Sequence, residues 1–163
     1  MDGSLSAVGD DRVTRFPSFD SRAREQAQTM LTGAIERAGA HLRVEYYLAP
    51  TRNDDDQFIG FARLGLPGVK AAKSGYAIGA ERWGNGYATD AARTMVTFGF
   101  QRLGLHRITA AIGPDNSASI AVVKLLGFIS EGRLREHVFT NGAWRDSVLY
   151  SILHPDRLPD GER

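Results

Sequence analysis

Three features of the 163-residue chain predict a mixed α/β (α+β) fold on a mostly antiparallel sheet. Alternating apolar runs precede position 79, a strand runs through a glycine-rich turn into a helix at 74–103, and Asn141-Gly142 joins two further alternating runs. The implied order is helix, three strands, helix, strand, helix, hairpin, in which antiparallel neighbours outnumber parallel ones.

Asp20 or Ser21 is placed to cap the first helix, whose face is Ala23, Ala27, Met30, Leu31, Ala34, Ile35 and Ala38, with Gly39 as its stop. Leu42, Val44, Tyr46 and Leu48 alternate with polar residues as a half-buried strand. Pro50 and the polar cluster at 51–56 turn the chain into a second strand, Phe58 to Leu66. Pro67-Gly68 reads as a tight turn before a third, Val69 to Ile78. Ala88, Ala91, Ala92, Met95, Val96, Phe98 and Gly99 give the next helix a small, apolar face, stopped by Gly104. His106 to Ile112 is a short apolar strand. Pro114-Asp115-Asn116-Ser117 turns and caps a helix through Leu126, closed by Gly127. Phe128 to Thr140 leads to Asn141-Gly142, the type I′ hairpin signal, and a last strand with Trp144, Asp146, Val148, Tyr150 and Ile152 on one face.

Length and a 42% hydrophobic content fit one domain spanning 1–163, with 1–12 and 155–163 expected as flexible ends. A net charge of +1 gives no electrostatic reason to expect nucleic acid as a partner. No run approaches the roughly 18 apolar residues of a membrane span, and Met1 to Asp10 lacks the pattern of a signal peptide. The absence of cysteine excludes disulfides and thiol catalysis and suits a cytoplasmic setting. The four histidines lack the spacing of a helical zinc site, so no metal is expected.

Chemistry concentrates at Trp83-Gly84-Asn85-Gly86-Tyr87-Ala88. Two glycines let backbone approach a ligand, and the helix that follows offers free N–H groups and a positive dipole end, which together suit a phosphate. A simple bend is the competing reading. A P-loop is excluded because no Gly-Lys-Ser/Thr follows. A dinucleotide fingerprint fits poorly because its third glycine falls at Thr89.

The stretch from Gly75-Tyr76-Ala77-Ile78 through Trp83 to Ala91 resembles the acetyl-CoA signature of GNAT N-acetyltransferases, in the RimJ/RimL-like branch. Trp83 takes the first position of the Q/R-x-x-G-x-G/A pattern. Further blocks match in order: Asn116-Ser117-Ala118-Ser119 with Lys124 to Phe128, then Glu131 to Arg135, Asn141-Gly142, Trp144 and Asp146. The resemblance runs from about Val13 to Leu153 and implies a sheet with helices on both faces. The branch's usual first strand, with its Arg-Leu-x-Leu-Arg type segment, has no counterpart here, so the first family strand is expected to be absent.

The resemblance implies direct transfer of an acetyl group from acetyl-CoA to a primary amine in a ternary complex. The acceptor is a protein N-terminus or a small-molecule amine. It further implies a pantetheine arm along Tyr76, Ala77 and Ile78, and a pyrophosphate held by N–H groups from Gly84, Asn85, Gly86, Tyr87, Ala88 and Thr89. A strand N–H near Ala77 or Ile78 would stabilise the oxyanion. Asn116 bonds the pantetheine or caps its helix, and Ser119 protonates the departing thiolate. Trp83 covers the cofactor or packs, and Lys124 reaches a CoA phosphate or is solvated. For the base, relatives place a carboxylate where this chain has Val138. By strand alternation Glu136 shares the face of Val138 and His137 points away, so both are candidates. Arg43, Glu45 and Tyr47 share a strand face that can line the acceptor pocket. A missing first strand exposes a sheet edge, from which a homodimer is expected. That absence, with Val138 in place of a carboxylate, leaves a non-catalytic acyl-CoA-binding module or sensor as the alternative.

Overall fold

The computed structural model describes residues 24–52 and 57–154, without the side chains of 24–28, 30 and 31. The capping position at Asp20 or Ser21, the beginning of the stretch from about Val13 that resembles the family, the acidic part of the 51–56 loop and both expected flexible ends lie outside the described residues.

The elements follow the expected order: α1 (Arg24–Ala38), β1 (Glu45–Leu48), β2 (Gly60–Gly68), β3 (Ala71–Ile78), a 3₁₀ turn (Ala80–Arg82), α2 (Tyr87–Gln101), β4 (Arg107–Ile112), α3 (Ser117–Leu125), β5 (Ile129–Thr140) and β6 (Ala143–Leu153). One sheet runs β1-β2-β3-β4-β6-β5. Its pairs are antiparallel except β3 with β4.

That parallel pair decides where a site can form. It is registered only through Ala71↔Arg107, Ala72↔Ile108 and Lys73↔Thr109. Beyond Lys73 and Thr109 the two strands separate, so the rest of β3 is paired with β2 alone. Gly60 sits opposite Ile78 in β2, where an added Cβ would lie 2.2 Å from the Ala77 carbonyl oxygen. The close approach that only glycine allows here holds the free stretch of β3 in place.

Alternation sorts the sheet residues onto two faces. Ala62, Leu64, Ala72, Ile108, Ala110, Tyr150 and Ile152 face α2 and α3, whose Ala91, Ala92, Met95, Val96, Phe100 and Val123 complete one core. Both helices therefore pack on the same face, called here the helix face. α1 is tied to the second face, where its Arg37 Nε donates to Glu45 Oε2 at 3.0 Å. No helix among the described residues is long and apolar enough to cross a membrane.

Three local expectations are corrected. The β2–β3 turn is at Val69-Lys70, not Pro67-Gly68: Lys70 takes φ 52° and Gly68 pairs with Ala71. Pro67 sits in the register shift between Gly65 and Gly68, where a missing N–H costs no ladder bond. The first strand begins at Glu45, leaving Leu42 (86%) and Val44 (57%) exposed. Ile35, read as part of the buried face of α1, is also exposed. In both cases apolar periodicity outran what packs against it. The Asn141-Gly142 turn is as expected, with φ of 50° and 72°.

Candidate active site

The separation of β3 from β4 opens a cleft of about 1370 Å³ that passes through the sheet. On the helix face it is lined by Tyr76, Asn116, Ser119 and Val123, and on the second face by Glu45, Arg63, Lys73, His137 and Ser147. Tyr76, Ala77 and Ile78 present an unpaired strand edge along this gap.

At the end of β3 the chain forms a stapled turn. Trp83 Nε1 donates to the Ile78 carbonyl at 2.9 Å, and Asn85 Nδ2 donates to the carbonyls of Arg82 and Trp83, each at 3.1 Å. Trp83 is half exposed and thus anchors the turn rather than filling the core. Gly84 and Gly86 both have φ 79°, a left-handed conformation that favours glycine. Gly86 precedes α2 with no side-chain cap, and the first helical bond runs from the Asp90 N–H to the Gly86 carbonyl at 3.0 Å. The N–H groups of Tyr87, Ala88 and Thr89 are left without helical acceptors at the positive end of a 15-residue helix. No heavy atom stands within 4 Å of a Cβ built on Gly86, so the space before these donors is open. The donor set fits a pyrophosphate.

The start of α3 supplies the second component. Asn116 caps the helix, its Oδ1 accepting from the Ser119 N–H at 3.1 Å. The capping reading of Asn116 is thus realised in the structure. Ser119 Oγ in turn accepts from the Tyr76 hydroxyl at 2.9 Å, across 43 residues of sequence. Burial pushes the Tyr76 phenol above its ordinary range, the Ser119 hydrogen bond pulling less strongly the other way. Lys124, in the last turn of the same helix, is exposed and lies outside the cleft lining.

On the second face the structure reverses the expected orientations of Glu136 and His137. Leu134 pairs with Ser147 and Val138 with Arg145, so Arg135, Glu136 and His137 all stand opposite Asp146 in a bulge. Glu136 takes φ 47° and is exposed away from the cleft. His137 joins Val138 at the cleft, its Nδ1 3.0 Å from the Ser147 hydroxyl oxygen, so Nε2 is the ring nitrogen not engaged by Ser147. Alternation fails as a guide across a bulge.

Asp146 pins that bulge. Its Oδ1 accepts from the Glu136 N–H at 2.8 Å and its Oδ2 from Arg133 Nε at 2.6 Å. These bonds hold the carboxyl below its ordinary range, the Glu136 N–H foremost. A depressed carboxyl stabilises above its unfolded pKa, and the contribution is lost as pH falls through the folded value. Asp146→Ala is therefore expected to release the bulge and lower kcat by ~10- to 100-fold through misplacement of His137. The KM for the acyl donor should be unchanged, as steady-state kinetics will show.

Of the acceptor-pocket trio, Glu45 and Tyr47 line the cleft, whereas Arg43 stacks over the Tyr46 ring at 5.0 Å. Burial pushes the Glu45 carboxyl up, but hydrogen bonds and charge from Arg63 and Arg37 outweigh it and hold the group ionised below its ordinary range. A carboxylate so held is a poor proton acceptor.

Comparison with known proteins agrees with this geometry. An acetyltransferase (GNAT) domain model matches residues 2–129. The uncharacterized N-acetyltransferase YoaA of Bacillus subtilis (strain 168) is 34% identical over 160 residues, covering 93% of this chain and 86% of YoaA. The [ribosomal protein uS5]-alanine N-acetyltransferase of Escherichia coli (strain K12) is 29% identical over 117 residues, covering 70% of this chain and 60% of that enzyme. Mycobacterium smegmatis RimJ, solved in complex with CoA-disulfide, superposes with a TM-score of 0.71 at 30% identity, covering 79% of this chain and 61% of that one. The chain belongs to the acetyltransferase (GNAT) family. It is an acetyltransferase enzyme, of a family whose members take the acetyl group from acetyl-CoA.

Proposed function

We propose that the protein transfers an acetyl group directly from acetyl-CoA to a primary amine, with the two substrates entering the cleft from opposite faces of the sheet. The observation that carries this reading is the cleft itself: it joins a hydroxyl donor, Ser119, on the helix face to an imidazole, His137, on the second face. A wholly non-catalytic module has no need of that pairing, and His137 supplies the base that Val138 cannot.

The N–H groups of Tyr87, Ala88 and Thr89 hold the pyrophosphate, and the free edge of Tyr76-Ala77-Ile78 pairs with the pantetheine amides. His137 Nε2 takes a proton from the entering ammonium. The amine nitrogen then attacks the thioester carbonyl carbon. A β3 N–H at Ala77 or Ile78 stabilises the oxyanion. The nitrogen gives up its second proton to solvent as the carbonyl re-forms, the C–S bond breaks, and the sulfur leaves with its electron pair toward the Ser119 hydroxyl at the positive end of α3. No covalent acyl-enzyme is needed, consistent with a chain that has no cysteine.

The acceptor is best read as the α-amine of a polypeptide. The support is the likeness to the uS5-alanine enzyme. Calorimetric titration with acetyl-CoA and CoA, followed by thiol release on a panel of amines, tests the reading. Tight binding and faster release with free peptide N-termini than with spermidine are expected. Binding without release on any amine would overturn it.

A further inference from the structure

We propose that Tyr76 is the positioning residue for the leaving-group donor: by donating to one lone pair of Ser119 Oγ, it turns the single Ser119 hydroxyl hydrogen into the gap where the thioester sulfur departs. The inference rests on the role given to Ser119 above and adds to it a residue 43 positions earlier in the chain.

A serine hydroxyl has one hydrogen, two lone pairs and a rotor with three staggered positions. Left alone in the first turn of a helix, it samples local carbonyls as acceptors. Here its backbone is fixed by the Asn116 cap and its oxygen by the Tyr76 hydroxyl at 2.9 Å, a donor held on a paired strand. With one lone pair taken, the hydroxyl hydrogen points away from Tyr76. Tyr76 and Ser119 both line the cleft that opens where β3 separates from β4. A hydroxyl that accepts one hydrogen bond also donates a stronger one, by roughly 10–30%.

Tyr76 keeps its proton throughout. Its burial favours the neutral phenol, so it remains a donor to Ser119 at neutral pH. When the C–S bond breaks, the electron pair goes to sulfur, which accepts the Ser119 hydrogen bond. The proton that completes the thiol comes from the one His137 removed from the ammonium, returned through solvent. In this arrangement Ser119 touches the reacting atom and Tyr76 acts through it.

The test is the titration of free CoA thiol in the complex, read by thiolate ultraviolet absorbance, with wild type, Tyr76→Phe, Ser119→Ala and the double variant. Phenylalanine keeps the ring that packs beside the core and removes only the hydroxyl. In the wild type the bound thiol should titrate lower than in Ser119→Ala, with Tyr76→Phe between them and the double variant equal to Ser119→Ala. In turnover, Tyr76→Phe should lose ~10-fold in kcat, equivalent to about 1.4 kcal/mol, with the KM for acetyl-CoA unchanged. A thiol unmoved by Tyr76→Phe but moved by Ser119→Ala would overturn the positioning role alone. Additive effects in the double variant would do the same. Failure of the wild type to bind CoA would overturn the acetyl-CoA reading itself and the Tyr76 role with it.

Discussion

Replacing Gly86 with asparagine is expected to weaken CoA binding by about 100-fold or more, roughly 3 kcal/mol, in a protein that remains folded. Gly86 has φ 79°, and a Cβ built there meets no heavy atom within 4 Å. The space it would enter is therefore the approach to the N–H groups of Tyr87, Ala88 and Thr89 rather than the protein interior. Asparagine is the informative substitute because it tolerates left-handed backbone, whereas a β-branched residue adds strain that confuses the result. The cost to folding should be about 1 kcal/mol, a fall of roughly 2–4 °C in Tm for a chain of this size. Calorimetric titration of CoA beside a thermal melt separates the two effects. A folded Gly86→Asn protein with wild-type affinity would show that the phosphates bind elsewhere.

His137→Asn is expected to lower kcat by ~10²- to 10⁴-fold, the usual range for removing a general base. The asparagine amide can keep the bond to Ser147 that His137 Nδ1 makes at 3.0 Å, so the bulge should survive. Glu136→Gln should behave as wild type, because that side chain points away from the cleft with its backbone at φ 47°. If Glu136→Gln lost activity and His137→Asn retained it, the assignment of the base would be reversed.

Particular residues show which parts of this molecule were legible in the sequence. The order of elements was, because each is announced by its own neighbours: Gly39, Gly104 and Gly127 mark stops, and Asn141-Gly142 takes the two positive φ values a type I′ turn requires. The glycine turn before α2 was legible too, since its conformation is local. What was hidden depends on partners far along the chain. Pro67-Gly68 reads as a turn, yet the register of β2 against β3 places the reversal at Val69-Lys70. Alternation put Glu136 on the face of Val138, and the bulge pinned by Asp146 put His137 there instead. Asp146 stands out as the one acid on an otherwise apolar strand face, but nothing beside it in sequence says which residues it holds. Nothing at Tyr76 signals a hydroxyl partner on α3, because that contact exists only once β3 and α3 flank the same gap.

Initial rates measured with acetyl-CoA and a free-amine peptide both varied test direct transfer across the through-sheet cleft most directly. Reciprocal plots that intersect, with no turnover of the same peptide carrying a blocked N-terminus, are the expected result. Parallel plots would show that the acetyl group leaves CoA before the amine binds, which contradicts a ternary complex formed from both faces of the sheet.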